Sequence, residues 1–287
     1  MSGGDTALVV GGDGLIGRHL AAHLTGTGWQ VTATSRRPGS AAAPLDLAKA
    51  AVSPPRLPRA EAVVLVAAIA RLADCAAAPR ATAQVNVFGT AAVARAAAAA
   101  GAFVLLLSSD KVFDGGRARA MRTWPISPAT EYGRQKAAAE AAVLALGPQG
   151  AVLRLSKIVA PELTLFANWA AALRQGRPIA PYRDMFLAPV PVGVLAQLVA
   201  AILGARQAGI HHLSGAEDGS YARAGAALAQ ALRADPALVV PGEAAPALHP
   251  PEALVRHSTL DMSAEFERFA IQPPGFEETL AWLAERL

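Results

Sequence analysis

The chain has 287 residues, 53% hydrophobic and 17% charged, with one cysteine and a formal net charge of +4. That length supports one large α/β unit, or a main domain with a smaller one attached. The composition argues against a membrane span, a disulfide scaffold and a nucleic-acid binder: the apolar runs are short or broken by Arg95 and Gly101, Cys75 has no second cysteine to pair with, and the arginines are scattered.

The mild positive balance suits a phosphorylated small-molecule ligand equally well. A lone cysteine fits a reducing compartment and residues 1–6 show no secretory signal, so a cytoplasmic location is expected. In chain order, residues 7–10 form a short apolar run, a glycine-rich turn follows, and residues 15–24 carry a helical pattern. Residues 30–33 read as a second strand, 62–68 as a third and 103–107 as a fourth, with an alanine-rich helix over 81–100. Residues 114–128 read as a loop, 131–146 as a helix ended by Gly147-Pro148, and 151–155 as another strand. Strands alternating with helices predict a doubly wound parallel sheet of Rossmann type. Continuous apolar strands predict cover on both faces. Residues 1–160 are expected to bind the cofactor and carry the catalytic helix. Residues 161–287 are expected to form mainly a small substrate-binding lobe, interleaved with the core.

The segment Val10-Gly11-Gly12-Asp13-Gly14-Leu15-Ile16-Gly17 places Gly11, Gly14 and Gly17 between a strand and a helix. A dinucleotide needs this arrangement: glycines let the backbone approach the pyrophosphate, and the first helical turn, Leu15 and Ile16 included, offers free N–H groups. The plainer alternative is a tight turn without ligand. After the second strand stand Ser35, Arg36 and Arg37, where an acidic residue would bind the ribose 2′-hydroxyl of NAD. Two guanidiniums suit a 2′-phosphate, so NADP(H) is preferred and NAD(H) stays open. Asp46 and Leu47 lie where the next loop can reach the adenine.

Tyr132 and Lys136 are four apart and share a helix face. A nearby ammonium is expected to lower the phenol's pKa, so Tyr132 can exchange a proton with a carbonyl oxygen while Lys136 binds the nicotinamide ribose. Ser109, at a strand end, can orient the same oxygen.

Glycine turn, serine and Tyr-xxx-Lys in this order resemble the extended short-chain dehydrogenase/reductases of the epimerase/dehydratase superfamily, and more narrowly the dTDP-4-dehydrorhamnose reductases. Residues 74–90, ending Gln84-Val85-Asn86-Val87-Phe88-Gly89-Thr90, resemble that family's helix before the catalytic strand. Ser108-Ser109-Asp110-Lys111-Val112-Phe113-Asp114-Gly115 is similar to its S-T-D-Y-V-F-D-G segment. Residues 154–156, 209–215, 256–261 and 271–274 resemble its later motifs. The resemblance implies catalysis by Ser109, Tyr132 and Lys136, and cofactor contacts from Ala67, Ala68 and Asn86. It implies substrate contacts near Asp110, Lys111, Val112 and Phe113. Arg183 and Arg256 are candidates for a diphosphate, with a surface role as the alternative. Lys111 stands where these reductases often have tyrosine.

Asp110-Lys111 also suits general acid–base work, as in nucleotide-sugar dehydratases, so an epimerase or dehydratase remains a second reading. At a strand end the two would point in opposite directions. A third reading is a non-catalytic regulatory subunit on the same fold, like the β subunit of methionine adenosyltransferase. The expected partner is a nucleotide-linked sugar, with no nucleic acid, no membrane and a homodimer as the commonest oligomer. No metal is expected: His19 and His23 lack a third ligand. In His211-His212, on a strand, only one should face inward. The four tryptophans read as packing.

Overall fold

The computed structural model describes residues 5–40, 42–53, 55–244 and 254–287. Residues 1–4, on which most of the reading of the N-terminus rests, lie outside these. The elements in order are β1 (Thr6–Val10), α1 (Leu15–Gly26), β2 (Gln30–Ser35), β3 (Ala43–Pro44), α2 (Leu47–Ala50), β4 (Ala62–Leu65), α3 (Leu72–Ala77), α4 (Pro79–Ala83), α5 (Thr90–Ala99), β5 (Phe103–Leu107), α6 (Glu131–Leu144) and β6 (Gly150–Leu155). There follow β7 (Lys157–Val159), α7 (Thr164–Arg174), β8 (Phe186–Leu187), β9 (Pro189–Pro191), α8 (Val192–Ala205), β10 (Gly209–Leu213), β11 (Gly219–Ser220), α9 (Tyr221–Ala231), α10 (Ser263–Phe269) and α11 (Phe276–Ala284).

The chain divides into two compact units, and the division is not a single cut. Unit 1 comprises Met1–Val112, Pro128–Arg154 and Ala196–His211, and unit 2 comprises Phe113–Ser127, Leu155–Leu195 and His212–Leu287. Unit 1 is built on a seven-stranded sheet in the order β3-β2-β1-β4-β5-β6-β10. The registers linking β3 through to β6 are all parallel. This is the expected doubly wound architecture. From β1 the chain first winds out to β2 and β3, then returns to β4 on the other side. The carboxyl ends of β1 and β4 therefore flank a topological switch point, where such sheets open a crevice. Residues of both pleat phases are buried along β1, β4 and β5, as the apolar runs predicted. One face packs Leu8, Val63, Val104 and Val152 against Val93 and Ala97 of α5 and Val143 of α6.

Two expectations change. The third strand stops at Leu65 because the Val66 and Ala67 amides both donate to the Val10 carbonyl, at 3.1 and 3.0 Å, which turns the chain out of the ladder. The helix expected over 81–100 is α4, a π-helical turn over Gln84–Gly89, and α5. The Thr90 hydroxyl donates to the Val85 carbonyl five residues back, at 3.1 Å, in step with the widened turn. Gly89 presses on α2: a Cβ there would lie 2.0 Å from the Leu47 carbonyl oxygen.

Unit 2 pairs β7 with β9 in parallel and β8 with β11 antiparallel. Its core gathers Phe166, Leu173, Leu228, Phe276, Leu280 and Leu283 from α7, α9 and α11. Trp169 stands edge-on to Phe166, with centroids 5.5 Å apart, which is the packing role expected of it. The loop over Phe113–Ser127 is tied down by the Arg119 amide on Thr259 Oγ1 at 2.9 Å and the His257 amide on the Gly115 carbonyl at 3.1 Å. Asp218 in turn accepts the Ser258 and Thr259 amides at 2.7 and 3.0 Å. Among the described residues no helix is long and apolar enough to cross a membrane.

Candidate active site

The turn after β1 needs its glycines for different reasons. Gly11 has φ +86°, and a Cβ there would lie 2.7 Å from the Ala67 Cβ. A Cβ on Gly17 would lie 2.2 Å from the Gly11 carbonyl oxygen, so only glycine lets α1 sit this close to the turn. Gly14 is the N-cap of α1, with no side-chain cap and no acidic residue in the first turn. The amides of Leu15 and Ile16 therefore head a helix whose positive end has no competing anion of its own.

Beside this turn lies a cleft of about 200 Å³, lined by Gly11, Gly14, Ser35, Arg36, Arg37, Asp46, Leu47, Ala67 and Ala68 among others. Most of the residues expected to hold the cofactor are thus gathered in one place. Asp46 also caps α2, accepting the Ala48 amide at 2.9 Å. Asp13, which the sequence reading passed over, lines the cleft as well. Its carboxylate accepts the Ser35 hydroxyl at 2.7 Å and pairs with Arg37 Nε at 3.3 Å. Arg36 makes no ion pair among the described residues. A cradle that a Cβ would fill, an uncapped helix start and two arginines at the far end fit a dinucleotide with a phosphorylated ribose.

Asn86 is not among the cleft residues. It is 1% exposed and works from beneath: Oδ1 accepts the Ile69 amide at 2.8 Å, and Nδ2 donates to the Ile69 carbonyl at 2.9 Å and to Gln135 Oε1 at 2.8 Å. It therefore shapes the stretch after β4 that lines the cleft. Gln135 was not foreseen. It joins α6 to this network and donates to Thr82 Oγ1 at 2.9 Å.

The carboxyl end of β5 and the start of α6 bring Ser109, Tyr132 and Lys136 together within unit 1. Thr130 caps α6 by accepting the Gly133 amide at 3.1 Å. A Cβ on Gly133 would lie 2.1 Å from the Lys111 carbonyl oxygen, so glycine there brings α6 against the turn after β5. Ser109 stands close enough to Tyr132 for its side chain to pull the phenol's pKa down. Lys136 is 4% exposed; its Nζ donates to the Leu107 carbonyl at 2.8 Å and stands 6.0 Å from the Tyr132 ring centre.

Burial of Tyr132, with the Asp110 carboxylate adding to it, holds the phenol above its usual range. The sequence led to the opposite expectation, a phenol lowered by Lys136; desolvation and the neighbouring anion raise it instead. Burial brings Lys136 itself down to about 8, against a smaller opposing pull from Glu140.

Asp110 and Lys111 do not point apart. They lie on a 3₁₀ turn over Asp110–Val112 rather than on the strand. Lys111 Nζ donates to Asp110 Oδ2 at 2.7 Å, and Ser109 Oγ donates to Asp110 Oδ1 at 2.9 Å. Val112 is fully buried and Phe113 is 7% exposed. Arg183, in unit 2, is exposed and donates to the Pro241 carbonyl at 3.0 Å; Arg256, also in unit 2, is exposed. His211 and His212 are both buried, because β10 is covered on both faces; each bonds a backbone carbonyl at 3.0 Å, of Gln207 and Asp261 respectively. No group of metal-binding side chains occurs among the described residues.

Fold and site together define a Rossmann-type oxidoreductase with the short-chain dehydrogenase arrangement of serine, tyrosine and lysine. More narrowly, the chain belongs to the RmlD substrate binding domain family, which it matches over residues 5–287. A dTDP-4-dehydrorhamnose reductase from Streptomyces griseus is 31% identical over 272 residues, spanning 89% of this chain and 85% of that protein. Among solved structures, dTDP-4-dehydrorhamnose reductase from Bacillus anthracis in complex with NADP has the same fold, with a TM-score of 0.84 at 18% identity over 99% of each chain. UDP-glucose 4-epimerase from Thermotoga maritima shares it too, with a TM-score of 0.79 at 18% identity over 98% of each chain.

Proposed function

We propose that this chain is an NADP(H)-dependent reductase acting on a keto group of a nucleotide-linked sugar, of the dTDP-4-dehydrorhamnose reductase kind. The observation that carries it is the Ser109–Tyr132–Lys136 cluster assembled in the same unit as the glycine cleft. The 31%-identical relative bears that reductase name, and the Bacillus anthracis structure is described with NADP.

NADPH held in the cleft supplies the hydride. Gly11, Gly14 and the first-turn amides of α1 cradle its pyrophosphate, and Arg36 with Arg37 pairs with the 2′-phosphate. Ser109 orients the carbonyl oxygen. Tyr132, kept protonated at neutral pH by its burial, donates the proton to that oxygen. Lys136 binds the nicotinamide ribose and, as an ammonium, steadies the phenolate that is left. A raised phenol suits this direction of reaction, since the acid form is the one required.

The test is consumption of NADPH by the purified chain with dTDP-4-dehydrorhamnose, with Tyr132→Phe as control. Turnover should fall by about 10²–10⁴-fold in the variant. If NADPH binds but no keto-sugar consumes it, the reductase reading fails and the regulatory one takes its place. The Asp110–Lys111 ion pair beside Ser109 favours one alternative, elimination or epimerisation after sugar oxidation. Product analysis decides: a dehydrated or epimerised sugar without net NADPH consumption would replace the reductase assignment.

A further inference from the structure

A buried ion pair, Glu140 with Arg154, is not used by this mechanism. Glu140 lies one helical turn beyond Lys136 on α6 and is 2% exposed. Arg154 on β6, 3% exposed, grips it through Nε at 3.1 Å to both oxygens and Nη2 at 2.8 Å to Oε2. The Ser108 hydroxyl donates to Glu140 Oε1 at 2.5 Å. Ser108 sits between Leu107, whose carbonyl accepts Lys136, and Ser109. The clamp therefore closes on the stretch of β5 end that holds the lysine and carries the substrate-orienting hydroxyl.

We infer that Glu140 is a positioning residue of this site: held by Arg154 and Ser108, it locks the end of β5 to α6 and keeps a negative charge one turn from the Lys136 ammonium. The inference rests on the role given to Lys136 above. Stability alone is a poor reason for such a pair, since burying two charges costs several kcal/mol per ion before their attraction offsets it, by order of magnitude. Position is a better one. The titratable groups facing Lys136 are Glu140 and Tyr132 on its own helix and Cys75 on α3, with Arg154 behind Glu140. Burial pushes the Cys75 thiol up, so it stays neutral at pH 7, and Tyr132 stays a phenol. Glu140 is then the anion that holds the lysine charged against its own desolvation.

The chain has only four lysines against 22 arginines, so the signals of lysines labelled at Cε can be followed one by one by NMR, with Lys136→Met identifying its own. In Glu140→Gln the Lys136 midpoint should fall by about 1–2 pH units, a ten- to hundredfold loss of proton affinity. Glu140→Asp should restore most of it. A merely structural role would lower stability and leave that midpoint where it is. If Glu140→Gln does not fold, Glu140→Gln/Arg154→Met removes both charges from the core, a replacement such sites tolerate, and should show a smaller fall in the same direction, because the Arg154 cation is removed along with the anion. A folded variant whose Lys136 titrates as in the wild type overturns the inference. The titration uses the protein without cofactor or substrate, so its failure and that of the reductase assignment are separate results.

Discussion

Asp13 brings a carboxylate to the part of the cleft where Arg36 and Arg37 are read as meeting a 2′-phosphate. It already engages Ser35 and Arg37. A phosphorylated ribose has to draw Arg37 from that pair and tolerate the anion beside it; an unphosphorylated ribose can donate a hydroxyl to it. Asp13→Asn should therefore sharpen the preference for NADPH over NADH by about two- to fivefold, the worth of one exposed charge-assisted contact. Arg36→Ala/Arg37→Ala should abolish it. Calorimetric titration with both cofactors checks this, and an Asp13→Asn variant with an unchanged preference ratio refutes the role. Lys136 sets a second expectation at this scale. Its pKa is lowered to about 8 by burial, so the ammonium is present below that pH and lost above it. Reduction should decline as pH rises through about 8, while Tyr132, raised rather than lowered, contributes no loss in that range. A pH–rate profile flat from neutrality to pH 10, the ordinary value for tyrosine, contradicts this.

Among elements, the π-helical turn over Gln84–Gly89 is the one that local sequence concealed. Its job is visible in Asn86, which the widened turn places under Ile69 and against Gln135. Asn86→Ala strands the Ile69 amide and carbonyl together with Gln135 Oε1. Stability should fall by about 1–3 kcal/mol for each buried group left unpaired. Cofactor affinity should weaken with it, because the strand-end lining loosens. Denaturant unfolding and NADPH titration measure the two effects. What the sequence disclosed follows the range of the interactions. The glycine turn, the paired faces of Tyr132 and Lys136, and the apolar strands are local patterns with a period or a fixed spacing. Asn86 with Gln135, and Glu140 with Arg154, join residues 49 and 14 apart, and no periodicity announces them. Glu140 did leave a sign that was open to reading: Tyr132, Lys136 and Glu140 recur at intervals of four on one helix face. Asp110 and Lys111 misled because a strand was assumed to continue where a 3₁₀ turn begins.

For the molecule as a whole, the exchange of segments between units sets what can be cut away. Residues 1–154 contain the glycine turn, Ser109, Tyr132 and Lys136, yet unit 1 also draws on Ala196–His211, including most of β10. Without β10, the fully buried strand Gly150–Leu155 becomes a bare apolar edge. A fragment ending at residue 154 should aggregate rather than bind NADPH, as sedimentation and cofactor titration will show. A soluble, cofactor-binding fragment would mean that unit 1 is complete without the returning segment. Unit 2 has its own centre in Phe276, and Phe276→Ala should cost about 3–5 kcal/mol.

Gly133 bears on how this protein can be re-engineered. With the Lys111 carbonyl 2.1 Å from where a Cβ would stand, any side chain there pushes α6 away from the turn after β5. Tyr132, Lys136 and Glu140 ride on that helix and would all be displaced in one step. A mutant library that includes Gly133 spends its diversity on dead clones. Lys111 offers the opposite case: its side chain reaches the same neighbourhood but hangs from a short turn and is partly open to solvent. Varying Lys111 together with Asp110, so that neither is left with an unmatched charge, alters the turn beside Ser109 while α6 stays where it is.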